Sequence, residues 1–340
     1  MIREWRTVTA HLLTGFLGSG KTSLLKRLLA LPDLVGTAVL INEFGEVGLD
    51  HLLVEEVDEQ VLLLKSGCVC CSIRGDLRDG LERLHGRMES GLIPPFERVV
   101  IETTGLADPV PIIAGFTADP ALRWHFRLGN VVTVVDAVNG LANLDRFPEA
   151  MKQVAVADRL VVSKTDLADP RTLVQRLRTL NPTAQLHLST EAAAAPMALL
   201  VDDGQDRAAE MARLVHAEQG DHDHHPSGPR TFCLTADAPL DWAAFGLWLS
   251  LLLHTHGTSI LRVKGLLQVQ GVARPVVVQG VQHLVHKPLH LDGWPDGEPQ
   301  TRLVVIGVGL DQAAIERSFR AFCRLGRMPA APALEPMRAR

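Results

Sequence analysis

Residues 15–22 read GFLGSGKT, with the apolar run VTAHLLT (8–14) directly before them and SLLKRLLA (23–30), apolar at helical spacing, directly after. A strand that ends in a Gly-rich turn and restarts as a helix gathers backbone N–H groups at the positive end of a helix dipole. The pattern fits a phosphate-binding loop, and the strand-to-helix context is the one that motif requires. In this reading Gly15, Gly18, Ser19 and Gly20 wrap the phosphates, Lys21 reaches the β- and γ-phosphates, the Thr22 hydroxyl ligates Mg²⁺, and Ser23 continues the loop into the helix. A plain Gly-rich turn with a chance lysine is the alternative.

The rest of the first half extends that unit. TAVLIN (37–42), QVLLL (60–64), RVVIE (98–102), NVVTVVD (130–136), RLVVS (159–163) and QLHLS (185–189) are short runs rich in Val, Leu and Ile, with helical segments between most of them. Strands that read as buried on both faces and alternate with helices predict an α/β fold with a mainly parallel sheet. The pattern dissolves near residue 190, and AEQGDHDHHPSGPR closes a stretch that reads as a connector. A second apolar region follows: TFCLTA (231–236), a helix over 240–253, strands near 259–267, 274–281 and 301–308, and a last helix from about 311 to 324. This predicts a small C-terminal α+β domain. The domain reading is therefore 1–195 for the first domain, 196–229 for a flexible His-containing linker, 230–325 for the second domain and 326–340 for a disordered tail.

Composition excludes several classes. The chain has 340 residues, 21% of them charged, with a net charge of -5 and no basic block, so nucleic acid is not an expected partner. MIREWRTVTA is too polar for a signal-peptide core, and no apolar stretch reaches the length of a membrane span. The expected compartment is the cytoplasm, where thiols stay reduced and clustered cysteines read as metal ligands or redox groups.

Two further segments complete a nucleotide site. VVIETTG places Glu102 at a strand end, where it would hold Mg²⁺ or its water, and Gly105 three residues on could turn its N–H onto a γ-phosphate. SKTD (163–166) places Asp166 to accept hydrogen bonds from guanine, with Lys164 packed along the base, which points to GTP. The usual form of that motif starts with Asn, and Ser163 forgoes the amide contacts that hold such a loop together. LST (188–190) is a weak candidate for a last base-contacting loop. Leu106 stands where Ras-like GTPases carry the Gln that orients the attacking water, so slow intrinsic hydrolysis is expected.

Cys68, Cys70 and Cys71 fall within four positions, in a chain of only five cysteines. A turn can bring such thiols together as a soft site for Zn²⁺, with Co²⁺ or Ni²⁺ also suited. Core packing and a redox switch are the alternatives. Glu43 and Glu46 offer a further ligand from INEFGEVGLD. Asp221 to His225 (DHDHH) reads equally as a metal-gathering loop or a polar linker, while His283, His286 and His290, like Cys233 and Cys323, read as structural.

Taken in order, GFLGSGKT, NEFGE, GCVCCSIRGDL, ETTGLADP, VVDAV and SKTD, followed by RVKG (262–265) and RLVVIG (302–307), resemble the CobW-like metal-chaperone GTPases over residues 7–325. The resemblance implies a P-loop GTPase that delivers a transition metal, often zinc, to a client metalloprotein; separately, a homodimer is a further expected partner arrangement. It implies metal at Cys68, Cys70 and Cys71 with Glu43 nearby, and nucleotide at Gly15 to Thr22, Glu102 and Asp166. Two other readings compete: a nucleotide-regulated metal store or sensor, and a small-molecule P-loop kinase, for which the chain shows no Arg-rich lid.

Overall fold

A computed structural model describes residues 7–42, 54–58, 61–66, 73–190, 197–200, 228–295 and 297–325, with the backbone alone at 33, 42, 54–58, 61–66, 73–76, 197 and 325. The first sheet is built from β1 (Val8–Thr14), β2 (Thr37–Asn42), β3 (Val54–Asp58), β4 (Val61–Ser66), β5 (Arg98–Glu102), β6 (Phe126–Asp136), β7 (Arg159–Ser163) and β8 (Gln185–Leu188). Their order across the sheet is β3-β4-β2-β5-β1-β6-β7-β8, with every neighbouring pair parallel except β3–β4. The helices are α1 (Lys21–Leu29), α2 (Ile73–Glu89), α3 (Val110–Ala118), α4 (Pro120–His125), α5 (Gly140–Arg146), α6 (Pro148–Ala155), α7 (Arg171–Leu180) and the single turn α8 (Met197–Leu200).

The unbroken apolar runs explain the layering. All seven residues of β1 and all five of β7 are buried, as expected for strands covered on both faces. On one face Leu13, Val39, Val100, Val132 and Val161 pack against Leu24, Leu25 and Leu28 of α1. Ala10, Leu12, Leu40, Val99 and Ile101 pack on the other against Leu81 and Leu84 of α2 and Ile112, Ile113 and Phe116 of α3. Each apolar helix stripe returns at three or four residues, matching the strand period of two beneath it.

The first domain differs from the sequence reading at three element boundaries or strands. The edge strand β3, VEEVD, was not expected, because its three acidic residues mask the strand pattern; charge is what an edge strand tolerates. β6 starts at Phe126 instead of Asn130, with Arg127 exposed before the buried run. The helix expected near Asp76 begins at Ile73.

The second sheet is antiparallel: β9 (Pro229–Ala236), β10 (Ile260–Leu267), β11 (Val276–Val281), β12 (Leu284–Val285), β13 (Leu289–His290) and β14 (Thr301–Val308), in the order β12-β11-β10-β14-β9 with β13 beside β11. Helices α9 (Trp242–His256) and α10 (Gln312–Leu325) cover one face through Trp248, Leu249, Leu252, Ile315 and Phe319, which meet Val263, Val278, Leu303 and Val305. The Asp241 carboxylate caps α9 by accepting from Ala244 N–H at 2.7 Å. Cys233 and Cys323, expected in the core, are partly buried against apolar clusters. His283 and His286 lie on the turn and hairpin after β11, and His290 ends β13.

The opposite face, including Leu261, Val277, Val304 and Ile306, packs with Ala155 of α6. At this seam Arg262 and Lys264 of β10 reach Asp158 in the turn between α6 and β7. The Arg262 guanidinium donates to the Asp158 carboxylate and to the Val156 carbonyl, Lys264 Nζ lies 3.7 Å from Asp158, and Val131 N–H donates to the same carboxylate at 2.9 Å. Burial opposes the charge on Asp158, but Arg262 and Lys264 outweigh it and hold the carboxyl far below the usual carboxylate range. Thr231 adds a hydrogen bond to the Leu180 carbonyl at 2.8 Å. No helix among the described residues is long and apolar enough to cross a membrane.

Candidate nucleotide-binding site

β1 is central, and the chain departs from it in both directions: through α1 to β2 on one side, and from β5 across β1 to β6 on the other. Ligands of open parallel sheets bind at the carboxyl ends of the strands where the order reverses in this way. Residues 15–20 sit at that point. Gly15, Gly18 and Gly20 have φ of 143°, 69° and 94°, which L side chains rarely adopt. A Cβ on Gly15 would also fall 2.3 Å from the Val134 carbonyl oxygen of β6, so the turn closes only with glycine there.

Lys21 and Thr22 open α1. The Lys21 ammonium folds back over the loop, donating to the carbonyls of Gly15 at 2.8 Å and Phe16 at 3.2 Å. Burial lowers its pKa while Glu102 raises it, and burial prevails. Phosphate oxygens arriving in the loop would restore the favoured charge. The Thr22 hydroxyl donates to Glu102 Oε1 at 2.6 Å. Glu102, buried at the end of β5, thus reaches the start of α1 across 80 residues of sequence. A hydroxyl and a carboxylate in contact at the mouth of a phosphate loop form a hard-oxygen donor set that suits Mg²⁺. Ser19 Oγ is buried without a hydrogen-bond partner among the described residues, and Ser23 is exposed on the first turn of α1.

The segment after β5 is held against the phosphate loop. Thr103 N–H donates to Leu13 O at 3.0 Å, and the Thr103 hydroxyl donates to the Thr14 hydroxyl at 2.9 Å. Gly105 is buried, and a Cβ there would sit 2.6 Å from Leu17 N and 2.7 Å from Leu17 Cα. The buried Gln153 of α6 braces this segment, its Nε2 donating to the carbonyls of Gly105 and Ala107, each at 3.1 Å. Lys152 pairs with Asp108 at 2.9 Å. Sequence reasoning missed Gln153; its only signal is a polar residue on the buried stripe of α6, and polarity there does not name a partner.

The third segment follows β7. The Ser163 hydroxyl donates to the Ser19 carbonyl at 2.6 Å. Ser163, which lacks the amide of the usual Asn, still reaches the phosphate loop directly through its hydroxyl. Lys164 takes φ of 55° and pairs with Asp136 at 2.9 Å. Burial opposes ionisation of Asp136, yet the Asn139 backbone N–H and the Lys164 ammonium prevail and hold its carboxyl below the usual range. Asp166 is exposed at the rim, and Leu188 to Thr190 end β8 next to β7. Gly15 to Thr22, Glu102, Gly105, Lys164 and Asp166 thus lie at one end of the sheet. Glu43, Glu46, Cys68, Cys70, Cys71 and the DHDHH stretch lie outside the described residues.

A phosphate loop at the switch point of a parallel sheet, faced by a carboxylate from the neighbouring strand, places the protein in the P-loop GTPase fold class. Comparison with known proteins makes that narrower. Residues 9–188 match the CobW/HypB/UreG nucleotide-binding domain, residues 230–323 match the cobalamin synthesis protein CobW C-terminal domain, and the chain belongs to this family. It is 33% identical over 316 residues to the zinc chaperone YjiA of Escherichia coli, covering 92% of this chain and 98% of that protein. It is 29% identical over 356 residues to the zinc chaperone CobW of a Sinorhizobium species, covering 92% and 97%. The crystal structure of Zn(II)-bound YjiA GTPase from E. coli superposes with a TM-score of 0.70 at 28% identity, over 93% of this chain and 99% of that one.

Proposed function

We propose that the protein is a GTP-hydrolysing zinc metallochaperone. The Thr22–Glu102 contact at 2.6 Å carries the nucleotide half of this reading, because it sets a Mg²⁺-type donor pair where the phosphate loop ends. Gly15 to Gly20 cradle the phosphates with backbone N–H groups, and Lys21 leaves its two carbonyls for the β- and γ-phosphates. Asp166 selects guanine over adenine, and Lys164, anchored by Asp136, lies along the base. Mg²⁺, which Thr22 and Glu102 would hold, would screen charge on the phosphates. Water attacks the γ-phosphorus, the bond to the bridging oxygen breaks, and GDP and phosphate leave. Leu106 has no amide to orient that water and is half-exposed, which supports slow turnover without a client or metal.

The metal half is supported by the Cys68-Val69-Cys70-Cys71 sequence and by the zinc-chaperone relatives. Three thiolates give a soft site, Glu43 adds an oxygen, and binding releases protons from the thiols. GTP ordering of the segments around Glu43 and Gly105 then changes zinc affinity, and ligand exchange passes the ion to a client metalloprotein. Zn²⁺ titration of the reduced chain under GTP–Mg²⁺ and under GDP–Mg²⁺ tests this, with Cys68→Ala/Cys70→Ala/Cys71→Ala as control. A tight site that is lost in the variant and differs between nucleotides is expected. Equal affinity in the two states would leave a store or sensor instead of a chaperone.

A further inference from the structure

Three ligating groups meet on a face that the nucleotide site and the domain seam do not use. His85 and Glu89 stand one turn apart on α2, and His125 is the last residue of α4. Their ligating atoms all lie within 4.8 Å of one another. The two imidazole rings are 4.1 Å apart at 42°, and His85 Nδ1 lies 3.6 Å from Glu89 Oε1. The His85 side chain is buried, only 7% exposed, and makes no side-chain hydrogen bond among the described residues, while Glu89 is exposed and His125 is half-buried. Glu89 pairs with no Lys or Arg among the described residues, and the nearby Arg78 is engaged by Glu82 at 2.9 Å and by Asp119 at 3.4 Å.

We propose that His85, Glu89 and His125 form a second zinc site, with two imidazole nitrogens and one carboxylate oxygen as ligands and one position open to solvent. Zinc bound tetrahedrally by nitrogen at about 2.0 Å sets ligand atoms about 3.3 Å apart. The i,i+4 pair already shares a helix face, and the three ligating atoms, now within 4.8 Å of one another, have to close by about 1.5 Å to reach that spacing. Two imidazoles with a single carboxylate favour Zn²⁺ over Mg²⁺ or Ca²⁺. Plain packing of two imidazoles accounts for the ring contact but not for a carboxylate that closes the third side of the same cluster, 3.6 Å from His85 Nδ1. Three protein ligands and an exposed side are the arrangement of an exchangeable site. The site lies on α2, which begins two residues after Cys71 in the sequence, so the chain would hold a second ion apart from the thiols.

The test uses the reduced full-length chain carrying Cys68→Ala/Cys70→Ala/Cys71→Ala and His222→Ala/His224→Ala/His225→Ala, which removes the other two groups of soft ligands. Zn²⁺ is titrated against a chromophoric chelator. One equivalent is expected to remain bound. His125→Ala should weaken it by roughly 100-fold or more, since losing even an outer-shell partner costs 10–100-fold, and Glu89→Gln should weaken it less. These two residues lie toward solvent, so an unchanged melting temperature without metal separates ligand loss from misfolding. No bound Zn²⁺ in this background, or binding that ignores His125→Ala and Glu89→Gln alike, would overturn the proposal. Neither result bears on nucleotide-dependent zinc binding by the unmodified thiols.

Discussion

A Cβ on Gly105 would meet Leu17 N at 2.6 Å, so the segment after β5 and the phosphate loop approach as closely as backbones allow. Gly105→Ala should push them apart, lower the stability by about 1–3 kcal/mol and weaken GTP binding. Calorimetry and nucleotide titration would read both effects. His11 shows a different constraint. It is buried in β1, accepts the Asn130 backbone N–H at 3.1 Å on Nδ1, and has its pKa pushed down to about 3 by burial, then by Arg98 and Arg127. The unfolded chain takes up this proton near pH 6.5 and the folded chain refuses it until about pH 3. Between those values stability therefore falls as pH falls. From pH 7 to 5.5 the loss from this one group should be about 1 kcal/mol, and His11→Asn, which keeps an acceptor, should remove that part of the slope in urea unfolding. GFLGSGKT and ETTGLADP were legible as sequence because their chemistry is local. The histidine was not, because its acceptor role depends on a backbone N–H 119 residues away.

Among the elements, α6 carries more than its eight residues suggest. Lys152 and Gln153 hold the segment after β5, the Gln153 carbonyl accepts from the Thr133 hydroxyl at 2.8 Å, and Ala155 and the Val156 carbonyl meet the second sheet. Asn181 ties down its end by donating to the carbonyls of Val154 and Ala157 at 2.8 Å and 2.9 Å. Gln153→Leu keeps the volume but leaves the Gly105 and Ala107 carbonyls without that donor, at about 1–3 kcal/mol. Faster amide exchange over residues 103–109 and a lower GTPase rate are expected; unchanged exchange would show that Gln153 only fills space. The buried strands and amphipathic helices were readable from periodicity. β3 was not, since VEEVD carries edge charge in place of alternation, and the brace from α6 was not, since it joins residues 46 to 48 apart with no shared motif.

For the whole molecule, the seam at Asp158 decides how the two sheets stand together. RVKG reads as a strand fragment in sequence; folded, it delivers Arg262 and Lys264, both buried, to a carboxylate about a hundred residues earlier. Asp158→Asn removes the carboxylate that the buried Arg262 and Lys264 share, and loss of one partner from a buried pair costs roughly 3–5 kcal/mol. A single unfolding transition at lower temperature is expected, with both domains affected. A change confined to the C-terminal sheet would contradict that coupling. The carboxyl of Asp158 is held below its ordinary pKa, so its contribution is present at neutral pH and is lost only as acid protonates it.

That seam also bears on modularity. Two family matches meet either side of residues 189–229, which invites treating the chain as two detachable parts. Severed there, the first part would bare Asp158 and Ala155, and the second would bare two cations and an apolar sheet face. Cutting the peptide between 201 and 227 should therefore leave one particle in solution, while either half produced alone should aggregate. That outcome would make the two matched ranges parts of one folding unit and not two separable ones.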